Sequence, residues 1–178
     1  MRDNFKSLVL CAAILFAFVS CEKPDSEKAW GIPLIYMPQA NYNPYVVPNG
    51  GSAAQTNLNY SIDDDNDVLN IFLGVYRSGL QEKLSYKVNV NVENTALKGT
   101  TLLPAAYYDI PMEVVCPDGE RDATFYLSVD LNYLKANRNK DFSVVVYISD
   151  PSRYALNEDL CSTTVRIDTA NLLSKEGL

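Results

Sequence analysis

The residue whose chemistry the sequence defines best is Cys21, a thiol at the end of an apolar run. Residues 7–20 are apolar or small throughout, a length typical of a secretory signal and shorter than the about 20 residues of a transmembrane helix. The tetrapeptide Phe18-Val19-Ser20-Cys21 resembles a bacterial lipobox, in which the cysteine is acylated and becomes the new N-terminus. We therefore predict a lipoprotein signal peptide over residues 1–20, with an ordinary signal peptide as the alternative. The charged residues 21–30 are expected to form a flexible tether.

Two further cysteines, Cys116 and Cys161, fall on the apolar phase of predicted strands. A compartment outside the inner membrane permits a disulfide between them. Two buried free thiols are an equally good account, because free cysteine packs as a small hydrophobic residue. Sequence spacing does not establish that the two Cα atoms lie within bridging distance, so both alternatives stay open.

Acid–base catalysis has few suitable groups in this chain, because the sequence contains no histidine. Serine triads and histidine zinc sites are thereby excluded in their usual form. Asp63, Asp65 and Asp67 alternate as calcium-loop ligands do, but Val68 and Gly74 stand where an EF-hand needs glycine and a bidentate glutamate. The other acidic residues lie in predicted turns or on wet strand faces. We predict no catalytic residues, no metal and no cofactor.

A loop over residues 39–52 carries the side chains best suited to binding a sugar. Tyr42 and Tyr45 offer flat aromatic faces on which a sugar ring stacks, and the amides of Asn41 and Asn43 could bind its hydroxyls. The alternative is that the tyrosines pack over an open end of the fold with only their hydroxyls wet. Three more tyrosines present the same two alternatives: Tyr107, Tyr108 and Tyr154.

The elements that must hold these residues are predicted to be β-strands. Apolar residues alternate in Val68–Tyr76, Tyr86–Glu93, Ala123–Val129 and Asp141–Ser149, the period of a half-buried strand. Clusters of glycine, proline, asparagine and aspartate separate these stretches and indicate turns. About seven strands over residues 31–168, without a long helical period, predict an all-β fold, an immunoglobulin-like antiparallel β-sandwich.

Two segments depart from the strand pattern. A short helical turn is predicted after Asp130, with Asp130 as its N-cap and Leu131 and Leu134 facing the core. Residues 169–178 are expected to be a short C-terminal tail that frays. At the start of that tail, Asp168-Thr169-Ala170 matches a short acceptor pattern for O-linked glycans.

The charge balance narrows the classes of partner. The sequence has 15 basic and 22 acidic residues, a net charge of −7, and no basic cluster. Such a surface argues against binding nucleic acid or anionic lipid head groups. The length of the predicted sandwich fits one domain.

Several segments together resemble a known family, and they recur in the order in which the family has them: Ile35–Ala40, Val75–Gly79, Val88–Glu93, Leu102–Ile110 and Thr163–Asp168. The family is the immunoglobulin-like N-terminal domain, of unknown function, of Bacteroidetes surface lipoproteins. The resemblance implies an outer-membrane protein, lipid-anchored at Cys21 and exposed at the cell surface. In that family the domain often precedes a glycan-active module of a polysaccharide-utilisation system. No such module is seen after Leu178, so we expect no glycosidase activity.

These observations predict a non-catalytic surface lipoprotein that binds glycan or serves a polysaccharide-utilisation system as an accessory module. Its partners would be a polysaccharide or the surface proteins that take up glycans. The alternative is a structural or adhesive module in which an edge strand pairs with a partner protein. Pro33, Pro38 and Pro111 would protect strand edges and count against that alternative.

Overall fold

The computed structural model describes residues 32–48, 58–79 and 83–178, where the alternating stretches of the sequence form two β-sheets. The predicted signal peptide, Cys21 and the tether lie outside the described residues. Residues 31–178 form one compact unit.

Twelve strands are present in the described part of the chain. In chain order they are β1 (Leu34–Tyr36), β2 (Tyr45–Val47), β3 (Tyr60–Asp63), β4 (Val68–Arg77), β5 (Tyr86–Glu93), β6 (Thr101–Leu102), β7 (Tyr108–Asp109), β8 (Glu113–Cys116), β9 (Asp122–Asp130), β10 (Phe142–Ser149), β11 (Ala155–Leu156) and β12 (Ser162–Ile167). Two α-helices accompany them, α1 (Leu131–Ala136) and α2 (Thr169–Glu176), with single 3₁₀ turns at Pro38–Asn41, Ala105–Tyr107 and Glu158–Leu160.

The strands divide into two six-stranded sheets. The first sheet has the order β11-β1-β4-β9-β7, with β3 also paired to β4, and the second has the order β2-β12-β10-β5-β8, with β6 also paired to β10. The long ladders are antiparallel, but β1–β11, β2–β12 and β6–β10 are parallel. The prediction of an all-β sandwich is confirmed, and its sheets are mixed where a purely antiparallel arrangement was predicted. The five strands of two or three residues are too short to show an alternating period.

The core lies between the inward faces of the two sheets. Leu69, Ile71 and Leu73 of β4 are at most 1% exposed, and so are Phe142 and Val144 of β10. Full burial of such a side chain contributes roughly 1.5–3 kcal/mol, so these two central strands hold the sheets together. The alternation predicted for both strands is confirmed.

The alternation of Ile110, Met112, Val114 and Cys116 predicts one strand over Tyr107–Cys116, but the structure has two strands there, β7 and β8. β7 pairs with β9 in the first sheet, whereas β8 pairs with β5 in the second. The chain passes between the sheets at Pro111, which has no N–H to donate to either ladder. Each of the two strands lies at a sheet edge, as expected for a segment that contains proline.

The helical turn predicted after Asp130 is confirmed as α1. The Asp130 carboxylate accepts a hydrogen bond from the Tyr133 amide at 3.0 Å, and Leu131 and Leu134 are fully buried. Because an N-cap satisfies an otherwise unpaired amide of the first turn, the sequence signal and the structure agree here.

The prediction of a fraying tail is wrong, because residues 169–176 form α2. Asp168 caps this helix through the Asn171 amide, at 3.1 Å, and Leu172 and Leu173 are buried. The Tyr60 hydroxyl donates to the Glu176 carboxylate and fastens the last turn of α2 to β3. Thr169 is fully buried as well, so its hydroxyl is not accessible as a glycan acceptor in the folded domain.

Within the described residues, neither helix has the length and apolar character that crossing a membrane requires.

Candidate functional site

A gap in the first sheet is the starting point of the site. β3 pairs with β4 from Val68 to Ile71, and β1 pairs with β4 at Tyr76 and Arg77. Between them, residues 72–75 of β4 have no strand beside them on this side among the described strands, while β9 continues to pair on the other side. Pro38 and the 3₁₀ turn that begins there end β1 before it could fill the gap.

Groups from three other segments take the place of the missing strand. The Gly74 amide donates to Oε1 of Gln39 at 3.2 Å, and the Tyr45 hydroxyl donates to the Phe72 carbonyl at 3.2 Å. The Phe72 amide donates to the Asn59 carbonyl at 3.0 Å. These bonds engage the amide and carbonyl of Phe72 and the amide of Gly74, and no described strand covers this stretch of β4, which leaves a depression at its edge among the described residues.

We refer to this depression as the β4 groove, and its volume is about 590 Å³. Volumes of about 300–1,000 Å³ are typical of small-molecule sites. The groove is lined by residues from β2, β4, β9, the first 3₁₀ turn and the segment before β3: Pro38, Gln39, Tyr45, Leu58, Asn59, Phe72, Leu73, Gly74, Val75, Tyr76, Asp122, Ala123 and Thr124.

Aromatic rings flank the groove on the outer face of the sheet. Phe72 and Tyr76 point outward because Leu73 and Val75 point into the core. Each ring has an aromatic neighbour on the adjacent strand, with a centroid separation of 5.4 Å for Tyr36–Tyr76 and 5.6 Å for Phe72–Tyr126. Apolar rings at a wet surface are suited to stacking against the apolar face of a ligand ring.

Gly74 lies between the two rings and keeps the floor of the groove low. A Cβ atom built on Gly74 would lie 3.3 Å from the Ala123 carbonyl oxygen and 4.0 Å from Nε2 of Gln39. The absence of a side chain here leaves backbone and the Gln39 amide within reach of a ligand.

The polar groups of the groove are mostly uncharged. Asp122 is the one charged side chain among the described residues that line it. Burial raises the pKa of the Tyr45 hydroxyl above its ordinary value, and a smaller opposite effect comes from Asn59. The Tyr45 hydroxyl is therefore a neutral hydrogen-bonding group at physiological pH.

The residues predicted to bind a sugar separate in the structure. Tyr45 lines the β4 groove, although it lies on β2, is 8% exposed and offers little of its ring for stacking. Tyr42, Asn41 and Asn43 are not among the lining residues. The amide of Asn41 donates to the Pro38 carbonyl, and Oδ1 of Asn43 accepts from the Thr164 amide at 3.2 Å, so both amides hold their own loop in place.

The other candidate tyrosines lie away from the β4 groove. Tyr107 is 38% exposed and stacks on Tyr133 with ring centroids 3.8 Å apart, and together with Tyr108 of β7 it lines a separate depression of about 380 Å³. Tyr154 packs edge-on against Tyr86, accepts from the Leu84 amide, and has the guanidinium carbon of the fully buried Arg77 5.2 Å from its ring centroid. A cation over a ring is an attractive arrangement, so Tyr154 helps to hold Arg77 inside the sandwich. Arg77 is the last residue of β4.

Cys116 and Cys161 are free thiols in the structure, which corresponds to the alternative of two unbridged cysteines. Cys116 is fully buried and its Sγ donates to the Asp122 carbonyl at 3.4 Å. Cys161 is half-buried and its Sγ donates to the Glu158 carbonyl at 3.2 Å. Burial raises the pKa of both thiols.

The acidic turn between β3 and β4 is held by its own hydrogen bonds. Asp63 accepts from the backbone and side-chain amides of Asn66, and Asp67 pairs with Nζ of Lys135 at 3.1 Å. Lys135 and a hydrogen bond from Asn132 hold the pKa of the Asp67 carboxyl below its usual range. In the described part of the chain no group of histidine, cysteine, aspartate or glutamate is arranged to hold a metal ion.

Sequence reasoning missed Phe72, Gly74, Tyr76 and Tyr126. The alternation of β4 places the first three on the wet face of the sheet, where polar residues are usual. Two aromatic residues around a glycine on that face were the available signal.

Comparisons with known proteins give one family match. A family model described as a "-like, N-terminal domain" matches residues 35–155. No curated protein matches the sequence.

Three solved structures from Bacteroides ovatus are similar to parts of this chain. A protein of unknown function is 18% identical, with a TM-score of 0.45, covering 56% of this chain and 36% of that one. A protein described as a "putative carbohydrate binding protein" is 12% identical, with a TM-score of 0.48, covering 75% and 36%. A multidomain protein including DUF1735 is 13% identical, with a TM-score of 0.43, covering 61% and 38%. The matched part is less than half of each of these three chains.

Proposed function

We propose a function for this chain from the premise that it belongs to the N-terminal-domain family whose model matches residues 35–155. That membership confirms the family resemblance seen in the sequence. The proposed function is non-catalytic glycan binding by a surface lipoprotein, as an accessory module of a polysaccharide-utilisation system.

The observation that carries the proposal is the β4 groove, with Phe72 and Tyr76 on either side of Gly74. Sugar rings present apolar C–H faces that stack on aromatic rings, and their hydroxyls need hydrogen-bonding partners beside those rings. Gln39, Asn59 and Asp122 supply amide and carboxylate groups at the same surface. Aromatic rings beside a few convergent polar groups are a common arrangement in small-ligand sites.

A binding role is favoured over hydrolysis by the acidic residues of the groove. Glycoside hydrolysis ordinarily requires two carboxyl groups on opposite sides of the scissile bond. Asp122 is the one acidic side chain among the described lining residues, and it is exposed. We therefore propose that the groove holds a glycan without cleaving it.

The anchor is a separate part of the proposal. Acylation of Cys21 would tether the domain to the outer membrane through residues 21–30. A tethered weak binder gains affinity from its high effective concentration near partner proteins. Radiolabelled palmitate fed to expressing cells should label the wild-type protein and not the Cys21→Ser variant. Equal labelling of both would contradict acylation at Cys21.

Glycan binding is tested by affinity electrophoresis of the soluble chain from Glu22 onward in gels that contain single polysaccharides. Tyr76→Ala should weaken retardation about tenfold, which corresponds to about 1.4 kcal/mol, the order expected for one aromatic platform. Tyr42→Ala is the matched control, since Tyr42 is an exposed tyrosine outside the groove. Retardation lost in Tyr42→Ala and kept in Tyr76→Ala would move the site to the loop, and no retardation by any polysaccharide would overturn the proposal.

The alternative of a protein-interaction module has one observation in its favour. Met112 and Val115, at the edge strand β8, are 86% and 58% exposed. However, Pro111 and Pro117 flank β8 and leave only four residues able to pair with a partner strand, a common protection against edge pairing. Glycan binding remains the better-supported function.

A further inference from the structure

We infer that the β4 groove takes an extended, uncharged segment of a glycan chain, lying along β4, in preference to a single sugar or an acidic polysaccharide. The inference rests on the proposed function and names the class of ligand for the same site. Two features of the groove lead to it, the spacing of its aromatic rings and the sign of its charge.

The rings of Phe72 and Tyr76, the two aromatic platforms of the groove, are too far apart for one sugar ring to contact both. Phe72 and Tyr76 lie four residues apart on a regular strand, a separation of roughly 13 Å at about 3.3 Å per residue. A single pyranose ring is much shorter than this distance. An extended oligosaccharide can place one ring on each platform with at least one sugar between them over Gly74.

The floor between the platforms is shaped for such a chain. Gly74 has no side chain to interrupt the path, and its neighbour on β9 along this face is Thr124, a small polar residue. Gln39 presents its amide at the same point, with Oε1 engaged by Gly74. Because Nε2 of Gln39 keeps donor capacity, it can donate to a hydroxyl of the central sugar.

The charge of the groove determines which glycan chains can bind in it. Asp122 faces the groove beside Tyr76, its partner in the β4–β9 ladder. No lysine or arginine is among the described lining residues, and the whole sequence has a net charge of −7. Carboxylate or sulfate groups on a glycan would be repelled here, whereas sugar hydroxyls can donate to Asp122.

The test uses the soluble chain from Glu22 onward, which contains the compact unit 31–178. Gels containing glucomannan, xyloglucan or mixed-linkage β-glucan represent neutral chains, and gels containing polygalacturonate or alginate represent acidic chains. At 20 mM salt we expect retardation by at least one neutral polysaccharide and much weaker retardation by either acidic polysaccharide. Asp122→Asn should increase binding of acidic chains about threefold and change binding of neutral chains less, as expected for one exposed charge.

Chain length is tested by calorimetry with oligosaccharides released from the neutral polysaccharide that retards the protein. Affinity should rise at least tenfold from the monosaccharide to the tetrasaccharide and then level off. Equal affinity for the monosaccharide, or equal retardation by an acidic chain, would overturn the inference while leaving glycan binding in place. Absence of retardation in every gel would instead overturn the proposed function on which the inference rests.

Discussion

Oε1 of Gln39 accepts a hydrogen bond from the Gly74 amide at 3.2 Å, at the position where β1 would pair with β4 if it continued. The backbone of Gln39 is held from the opposite side, because its carbonyl accepts from Oγ1 of the buried Thr163 on β12 at 3.3 Å. Gln39 thus connects the two sheets, and its side chain satisfies the Gly74 amide without placing a strand beside β4. Gln39 is a structural residue that also lines the β4 groove.

Replacing Gln39 with alanine should therefore affect both stability and binding. A partly buried amide that loses its acceptor costs about 1–3 kcal/mol, and we expect the lower end because water can enter the groove. Asn41→Ala is the control, since Asn41 is exposed in the same turn and its loss should cost less than about 0.5 kcal/mol. Urea unfolding of the two variants measures the difference, and equal losses would contradict the role assigned to Gln39.

Gly74→Ala should separate binding from stability. The added methyl group would lie 3.3 Å from the Ala123 carbonyl, a tight contact, while alanine lowers the entropy of the unfolded chain. These effects oppose each other, so the free energy of unfolding should change by less than about 1 kcal/mol. Retardation by polysaccharide should fall, because the methyl group fills the floor of the groove. Retardation unchanged in this variant would place the ligand elsewhere.

The parts of the fold that depend on local chemistry could be predicted from the sequence. The alternation from Leu69 to Val75 identified β4, and Asp130 identified the start of α1, because each signal acts within a few residues. The two-residue strands carry no period and exist only because longer neighbours offer them hydrogen bonds. α2 was missed because its stability depends on distant contacts, such as the one between Tyr60 and Glu176.

In the candidate site, too, local residue types could be predicted from the sequence and long-range pairing could not. Residue types indicated sugar binding in a loop, and of the residues named there Tyr45 lines the groove whereas Tyr42, Asn41 and Asn43 do not. The groove itself is a gap between β1 and β3 at the edge of β4. Every residue of β4 lies more than 30 residues after β1 in the chain. No local pattern shows where two distant strands stop pairing, so Phe72 and Tyr76 could be seen as outward-facing but not as flanking a depression.

Removing the N-cap of α1 should cost a measurable part of the stability. Asp130→Ala removes the acceptor of the Tyr133 amide, and such losses amount to about 0.5–2 kcal/mol. Asp130→Asn should retain most of the stability, since asparagine is an equally good cap. Urea midpoints of the three proteins test this. If Asn and Ala variants lost the same amount, the charge of Asp130 and not its capping bond would be responsible.

The domain should lose stability at alkaline pH. Burial raises the pKa of Tyr86, with added effects of the neighbouring Cys116, and the Tyr86 hydroxyl donates to the Arg121 carbonyl at 3.1 Å. The pKa of Cys116 is raised by burial as well. In the unfolded chain these groups ionise near their ordinary pKa values of 10.0 and 9.0. The folded state then binds more protons than the unfolded state, so stability is complete below about pH 9 and falls as the pH rises further.

Tyr86→Phe isolates the contribution of the phenol to that loss. The variant should be less stable at pH 7 by about 1 kcal/mol, because a hydrogen bond is removed. Between pH 9 and pH 11 it should lose less stability than the wild type, since the unfolded variant has one fewer group to ionise. Urea unfolding at pH 7, 9, 10 and 11 gives both curves. Parallel curves would show that Tyr86 does not titrate differently in the two states.

The two thiols should differ in reactivity and should remain unbridged. The thiolate is the reactive form, so a buried thiol with a raised pKa reacts slowly. Cys116 is fully buried on β8, whereas Cys161 is half-buried before β12. At pH 8, a thiol reagent should modify Cys161 slowly in the folded chain from Glu22 onward and reach Cys116 only in urea. Cys161→Ser should then show one thiol, reactive only after unfolding.

A mass two units lower under non-reducing conditions would instead reveal a bridge, and rapid modification of the Cys161→Ser variant would show that the β8 edge opens readily. Slow reaction would mean that the core around Cys116 stays closed on the reagent's timescale, although Cys116 is the last residue of an edge strand.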